Sequence, residues 1–287
     1  NADDEIIIPE PYYANYISFS EAFDAVCVPI TSSFDNNFAL PPIEEFEKKI
    51  TPKTKAFLIC NPGNPTGYLY SKEEILQLAA IAKKYDIFLI FDEVYREFVY
   101  DVAQHFSIMQ VSDIEQNAIM IDSVSKRFSM CGARIGWVVS KNKEVMKSIL
   151  KFAQARLSPP TYSQIGAEKA FDVPETYFEE VLKEYTQRRN VLIDALQKVE
   201  GVRVSMPKGA FYCIAELPVE NAEDFCIWLL DQFSVDNETV MLAPAEGFYA
   251  TPGLGRNQVR IAYVLEKEKI ERAVEILKKG LECYKKQ

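Results

Sequence analysis

Histidine is nearly missing from this sequence, which holds one, His105, in 287 residues. A metal site built from several histidines is therefore not expected, and a Ser-His-Asp triad would have a single residue to serve as its base. The six cysteines are scattered and form no C-x-x-C pair. We interpret them as reduced thiols and expect an intracellular, cytoplasmic protein.

Three further absences restrict the function. The formal net charge is −10 and the pI is about 4.9, so we expect neither nucleic acid nor an anionic membrane as a partner. No apolar stretch approaches the roughly 20 residues that a membrane-spanning helix needs. The sequence also lacks a G-x-G-x-x-G after a strand and a G-x-x-x-x-G-K-[ST] loop. A nicotinamide-dependent dehydrogenase and a P-loop enzyme are therefore disfavoured.

Short apolar runs alternate with amphipathic segments through the first half of the chain. The clearest amphipathic segment begins at Ser71, which with Glu74 has the spacing of a capping box. Strands separated by helices predict an α/β fold with a largely parallel sheet covered on both faces. The predicted strands are residues 5–8, 25–30, 56–61, 88–94, 118–124 and 135–140.

The pattern changes near Val173. Pro174 opens a long charged helix that we expect to continue to Val199, and Gly201 follows it as a C-cap residue. Beyond it, strand-like and helical segments predict an α+β unit. The strand-like segments are residues 202–205, 211–214, 240–243 and 258–263, with a helix over 224–233 and another at the end. We therefore predict two domains, residues 1–175 and a smaller one at 176–287.

Polar residues collect where predicted strands end, which is where ligands gather in open α/β sheets. The heptad N-P-G-N-P-T-G at 61–67 forces a fixed loop that would aim the amide of Asn64 at one point. Its alternative is an ordinary turn. Asp92 closes a buried strand, where a carboxylate is costly without a cation. Two structural roles are open to Asp92, capping a helix or pairing with Arg96. Its functional role would be to keep a proton on a cationic heterocycle.

Three cationic residues complete these segments. Lys126 lies just past a buried strand in S-V-S-K, where partial desolvation would make its amine a nucleophile; the alternative is a surface lysine. Arg134 offers a bidentate fork for a phosphate and Ser123 a hydroxyl for the same group. Arg260 lies between apolar residues of a predicted strand and needs a carboxylate, which belongs either to the protein or to a ligand.

In this order, the segments resemble the aspartate aminotransferase family (class I and II) of fold-type I enzymes, which depend on pyridoxal 5′-phosphate (PLP). The heptad, the D-E-V-Y at 92–95 and the S-x-S-K followed eight residues later by arginine are specific as a set. The resemblance covers the chain from Asp4 to the final helix. It implies the fold-type I PLP-transferase architecture, with a PLP-binding large domain and a smaller C-terminal domain.

The resemblance also implies a role for each matching residue. Lys126 is similar to the lysine that carries PLP as a Schiff base and then moves the substrate proton. Asp92 is similar to the carboxylate that keeps the pyridine nitrogen protonated, which makes the ring an electron sink. Arg260 matches the arginine that binds the substrate carboxylate. The other implied contacts to cofactor or substrate are Asn64, Tyr95, Ser123, Ser125, Arg134 and a stacking ring, Tyr13 or alternatively Tyr12.

The implied activity is amino transfer between an L-amino acid and a 2-oxo acid by a homodimer. Two alternatives stay open, a PLP-dependent carbon–sulfur β-lyase on the same fold and a truncated relative without catalysis. Arg156 is interpreted as a surface or dimer-contact residue rather than a specificity residue. The family has about a hundred residues before this point, including a loop at a helix N-terminus that cradles the phosphate. If the 287 residues are all there is, we expect weak PLP affinity and low turnover.

Overall fold

A six-stranded sheet forms the first half of the computed structural model, which describes residues 1–101 and 103–285. The strand order is β2-β1-β3-β4-β5-β6, and every neighbouring pair is parallel except β5 and β6, which are antiparallel. The mostly parallel α/β sheet is thereby confirmed. The strands are β1 (Glu5–Glu10), β2 (Val26–Thr31), β3 (Thr54–Cys60), β4 (Phe88–Asp92), β5 (Ala118–Ser123) and β6 (Gly136–Val139).

Within the described residues, α-helices connect or follow these strands. The predicted capping box is present, since Ser71 Oγ accepts from the backbone N–H of Glu74 and Glu74 accepts from that of Ser71. No helix of the described ranges is both long and apolar enough to cross a membrane. The helices are α1 (Asn15–Glu21), α2 (Ile43–Lys49), α3 (Lys72–Tyr85), α4 (Val124–Arg127), α5 (Lys143–Arg156), α6 (Thr161–Ala170) and α7 (Glu175–Leu196).

The core of the first sheet is built from α3 and the central strands. Ile75 and Leu78 of α3 are fully buried against Phe57 of β3 and Leu89 and Phe91 of β4. Central parallel strands are covered on both faces, which explains why they are apolar runs rather than alternating sequences. This packing fixes the carboxyl ends of β3, β4 and β5 as neighbours at one edge of the sheet.

A second, antiparallel sheet of order β7-β8-β10-β9 follows α7. Its strands are β7 (Arg203–Val204), β8 (Tyr212–Glu216), β9 (Ala243–Pro244) and β10 (Gln258–Ala262), with helices α8 (Ala222–Asp231) and α9 (Lys267–Tyr284). The strand-like segment at 240–243 contributes only Ala243 to a strand. Tyr95, Phe98 and Tyr100 from the first half pack into the core of this second sheet. A domain division at residue 175 stays a prediction.

Candidate active site

Asp92 lies at the carboxyl end of β4, where the sequence predicts a functional carboxylate. Its Oδ2 accepts a 2.7 Å hydrogen bond from the hydroxyl of Tyr16 in α1, and its Oδ1 accepts a 3.2 Å bond from the backbone N–H of Val94. Burial raises the pKa of Asp92, and these two donors and the charge of Lys126 oppose that shift. Arg96 pairs with Glu93 and Glu97 instead, so Asp92 has no arginine partner among the described residues.

Lys126 lies in α4, one turn of helix that begins directly after β5. Ser123 starts this turn, because its Oγ accepts from the backbone N–H of Ser125 at 3.0 Å. The Nζ of Lys126 lies 5.8 Å from the centroid of the Tyr95 ring and 5.9 Å from that of Phe211. Lys126 is thus half-buried beside two aromatic rings rather than fully exposed.

Tyr95 is a buried phenol that joins the two sheets. Its hydroxyl lies 3.1 Å from that of Tyr212 in β8, and its ring packs edge-on against Phe211. Burial raises the pKa of Tyr95 well above its ordinary value, and the proximity of Tyr212 adds to the shift. The hydroxyl is therefore a neutral hydrogen-bonding group at ordinary pH. The sequence indicated a structural role for 209–212, so the position of Tyr212 beside Tyr95 was missed.

Arg260 projects from β10 into an aromatic environment. One of its terminal N–H groups donates to Asn64 Oδ1 at 3.1 Å, and its guanidinium lies 4.7 Å from the Tyr212 ring centroid and 4.9 Å from that of Phe248. Its Nε is buried without a hydrogen-bond partner. No carboxylate of residues 1–101 and 103–285 pairs with Arg260, so the structural ion pair that we considered is not formed there. A buried donor of this kind fits a bound anion.

Asn64 is held by the heptad that follows β3, and glycines let this loop approach a distant segment. A Cβ on Gly209 would lie 2.5 Å from Pro62 Cβ, and one on Gly67, whose φ is +68°, would lie 2.3 Å from Pro207 Cβ. These approaches leave no room for a methyl group. The loop therefore packs directly on residues 207–209, next to Tyr212.

The residues predicted to bind phosphate are only partly brought together. Ser123 Oγ lies 2.8 Å from Ser125 Oγ and 2.7 Å from the carbonyl oxygen of Ile135. Arg134 directly precedes Ile135 and is exposed, with a φ of +56°. Its Nη1 donates to the carbonyl oxygen of Cys131 at 2.9 Å. The serines thus form a small hydroxyl cluster, whereas the guanidinium of Arg134 is exposed and bonded to the Cys131 carbonyl.

The tyrosines at 12, 13 and 16 have three different surroundings. Tyr12 is buried, and its hydroxyl has no partner in the described part of the chain. Tyr13 is half-buried, packs edge-on against Tyr16 at 5.5 Å and accepts a 2.9 Å hydrogen bond from Asn15 Nδ2. Of the two predicted stacking rings, Tyr13 has the more accessible face. Tyr16 was missed, although its i, i+3 spacing from Tyr13 at a helix start would have placed it on the same side.

A profile of the family described as aminotransferase class I and II matches residues 1–277. The chain is 33% identical over 280 residues to an aspartate aminotransferase of Bacillus sp. (strain YM-2), covering 96% of this chain and 69% of that protein. It is 32% identical over 286 residues to an aspartate aminotransferase of Pyrococcus horikoshii, covering 98% and 70%.

Solved structures give the same result for the fold. The aromatic aminotransferase of Pyrococcus horikoshii OT3 superposes with a TM-score of 0.88 and 28% identity, over 99% of this chain and 75% of that one. An aspartate aminotransferase of Thermus thermophilus with maleate superposes with a TM-score of 0.85 and 27% identity, over 98% and 70%. Because the two superpositions cover 99% and 98% of this chain, they include both of its sheets.

Proposed function

We propose that the chain, which belongs to the class I and II aminotransferase family, uses Lys126 to hold PLP and Arg260 to hold its substrate. The family catalyses amino transfer between an amino acid and a 2-oxo acid with PLP, on the fold-type I architecture, and this chain is such an enzyme. The β-lyase and non-catalytic alternatives are not favoured, since the relatives described above are named aminotransferases.

The observation that supports this proposal is a series of contacts between site residues of the two sheets. Asn64 accepts from Arg260, whose guanidinium lies over the ring of Tyr212. Tyr212 in turn meets Tyr95, the ring beside the amine of Lys126. Residues far apart in sequence thus converge on one place.

The residues present fit PLP. A carboxylate, an amine and an arginine with an unpartnered buried Nε offer contacts for a pyridinium, an aldehyde and an anionic substrate, in Asp92, Lys126 and Arg260. Tyr95 and Asn64 would donate to the phenolic oxygen, Ser123 and Ser125 to the phosphate, and Tyr13 would cover the ring. Arg134 uses Nη1 for the Cys131 carbonyl and keeps its other N–H groups for the phosphate. When bound, PLP withdraws electrons from the Cα of the substrate and so acidifies its proton.

Each protein group then has a defined task. Once the substrate amine has replaced it, Lys126 Nζ would take the proton from the substrate Cα as a general base and, as an acid, would give it to the aldehyde carbon of the cofactor. Asp92 must be anionic to keep the pyridine nitrogen protonated, and the hydrogen bonds from the Tyr16 hydroxyl and the Val94 backbone N–H favour that form. Arg260 binds the substrate carboxylate through its free Nε and a terminal nitrogen and thereby orients the Cα–H bond.

We further propose aspartate as the amino donor, because the Bacillus and Pyrococcus relatives carry that name. A relative named for aromatic amino acids makes phenylalanine the competitor to test. Initial rates with each donor and 2-oxoglutarate decide between them. A higher kcat/KM with phenylalanine would reject aspartate as the preferred donor.

A cytoplasmic homodimer is the assembly that we propose. Phe152, Leu157 and Tyr162 of the α5–α6 region are 70%, 76% and 90% exposed, and Arg156 is exposed beside them. Large exposed apolar patches mark association sites. Sedimentation of the purified chain should give twice the 32.7 kDa of one chain, and a Phe152→Asp variant should give the monomer. A wild-type monomer at micromolar concentration would reject the homodimer.

The central assignment is tested with borohydride. Incubation with PLP, reduction and peptide mass mapping should place the reduced cofactor on Lys126, and Lys126→Ala should lose both the label and the PLP absorbance band. Lys141→Ala removes a lysine that is paired with Glu115 on the surface and serves as the matched control. Labelling that survives in Lys126→Ala would reject the assignment.

A further inference from the structure

Glu93 is a fully buried carboxyl group immediately after Asp92. Because successive residues of an extended strand end point to opposite sides, Glu93 faces away from the site described above. Its Oε1 accepts from Ser107 Oγ at 2.8 Å and from the backbone N–H of Ile108 at 2.9 Å. Glu93 thus anchors the segment at 105–108 behind the turn that carries Asp92 and Tyr95.

The other oxygen of this carboxyl group has no hydrogen bond. Glu93 Oε2 and His105 Nε2 are both buried atoms without a hydrogen-bond partner in the described structure, and they lie 3.7 Å apart. That separation exceeds a hydrogen bond, so a bond between the two atoms requires the side chains to approach each other further. Arg96 Nη1 lies 3.6 Å from the same oxygen, and Asp122 is the further charge that acts on Glu93.

One proton satisfies both unpartnered atoms. A protonated Glu93 donates from Oε2 to the lone pair of a neutral His105 Nε2, whereas an ionised Glu93 leaves a buried charge that faces this ring nitrogen and has only the Arg96 guanidinium, 3.6 Å away, as a cation. Burial raises the pKa of Glu93 to about 7 against the opposing effects of Ile108, Ser107 and Arg96. Burial and Arg96 lower the pKa of His105 to about 4. Both shifts favour the neutral pair with its proton on Glu93.

We propose that Glu93 and His105 are positioning residues that share one buried proton and so fix the turn from Asp92 to Tyr95 against the segment at 105–108. The backbone N–H of Glu93 donates to Ile121 of β5 at 2.8 Å, so the main chain and the side chain hold this residue from two directions. Loss of the shared proton weakens the attachment of Glu93 through its side chain. The inference depends on the proposed function only for the roles of Asp92 and Tyr95.

The single histidine makes a direct test available. Imidazole ¹⁵N spectra of histidine-labelled protein, recorded with PLP from pH 4.5 to 8.5, contain the resonances of His105 alone. We expect Nε2 to stay unprotonated down to pH 5 and its chemical shift to inflect near pH 7 as Glu93 ionises. Recording the same series without PLP separates this result from the cofactor assignment, because the inflection is expected in both series.

Two variants decide the proposal. Glu93→Gln keeps the acceptor for Ser107 and Ile108 and places a permanent N–H donor opposite His105, so it should remove the inflection near pH 7 and retain kcat within about threefold at pH 6. Glu93→Ala should lose tenfold or more in kcat with a smaller change in KM. Glu97→Gln removes a carboxylate of the same turn outside the pair and should keep the inflection.

The contrary results are equally specific. Conversion of His105 to imidazolium with a midpoint near 6.5, or an inflection that persists in Glu93→Gln, would overturn the shared proton. Should Glu93→Ala fail to fold, His105→Gln provides the second route. Its amide can donate to an ionised Glu93, so it should shift the pH dependence of kcat; an unchanged profile would overturn the positioning role.

Discussion

The hydroxyl of Tyr16 donates a 2.7 Å hydrogen bond to Oδ2 of Asp92, and 76 residues of sequence separate the two. A half-buried carboxylate at a strand end requires such support, because burial alone favours its neutral form. Tyr16 therefore helps to keep Asp92 anionic, the state that the proposed pyridinium partner needs.

Removal of this donor should weaken catalysis without removing the cofactor site. In Tyr16→Phe we expect kcat/KM to fall roughly ten- to hundredfold, since a hydrogen bond to a charged group is worth roughly 1.5–3 kcal/mol. Steady-state amino transfer assays measure the change. Tyr85→Phe, which alters an exposed tyrosine at the end of α3, is the control and should retain full activity. Equal activities in both variants would remove Tyr16 from the site.

The carboxylate itself should matter more. Asp92→Asn keeps the shape and the Tyr16 contact but cannot hold a positive pyridine nitrogen, so we expect kcat to drop by at least about a hundredfold. The exposed Asp113→Asn serves as the control. Activity is followed by keto-acid production, and a loss smaller than tenfold would contradict the role of Asp92.

Arg260 should determine substrate affinity. Arg260→Lys retains the charge but loses the planar fork, and we expect KM for both the amino acid and the oxo acid to rise roughly ten- to hundredfold. Arg203→Lys changes an arginine in an exposed pair with Asp35 and Glu216 and should leave KM unchanged. An Arg260→Lys enzyme with normal KM for both substrates would exclude Arg260 as the carboxylate site.

Close backbone packing behind Asn64 gives a prediction on stability. Gly209→Ala places a methyl group 2.5 Å from Pro62 Cβ and 2.9 Å from the Phe98 carbonyl oxygen. We expect a loss of about 1–3 kcal/mol in the free energy of unfolding and lower activity. Gly132→Ala, whose added Cβ would meet nothing within 4 Å, is the control. Equal denaturant midpoints for the two variants would show that the loop tolerates displacement.

The stability of the chain should depend on pH through Glu93 and His105. The folded-state pKa of Glu93 is raised to about 7, so its contribution is present below its ordinary pKa near 4.5 and is lost as pH rises toward 7. The folded-state pKa of His105 is lowered to about 4, so its contribution is present above 6.5 and is lost as pH falls toward 4.

These slopes oppose each other between about pH 4.5 and 6.5, so in the wild type the contributions of Glu93 and His105 should largely cancel in that window. Glu93→Gln should leave stability that rises by about 1–3 kcal/mol from pH 4 to 6.5, whereas His105→Gln should leave stability that falls as pH rises above 4.5. Urea unfolding at half-unit pH intervals measures both. Parallel slopes in the two variants would contradict the opposed shifts.

Local pattern was enough to predict most of the elements. The capping box of Ser71 and the apolar runs of the six strands are properties of neighbouring residues, and the structure has them within a few positions. The segment at 240–243 was the exception, because a strand forms there only where Ala243 pairs with Arg260 of β10. The apolar composition of residues 240–243 does not show which of them pairs with β10.

The site was predictable only as separate pieces. The heptad, Asp92, Lys126 and Arg260 each follow or occupy a strand and could be identified there. Contacts between distant segments, such as Tyr16 to Asp92 or Tyr95 to Tyr212, depend on helix placement and on how the two sheets meet. No periodicity in the sequence specifies those pairs.

Because Tyr95, Phe98 and Tyr100 belong to the core of the C-terminal sheet, the chain resists division into independent pieces. A fragment that stopped at residue 175 would turn these three aromatic side chains toward water and would strip Lys126 of one of its two aromatic neighbours, Phe211. Two separately expressed halves should therefore be insoluble alone and should regain solubility only when they are produced together.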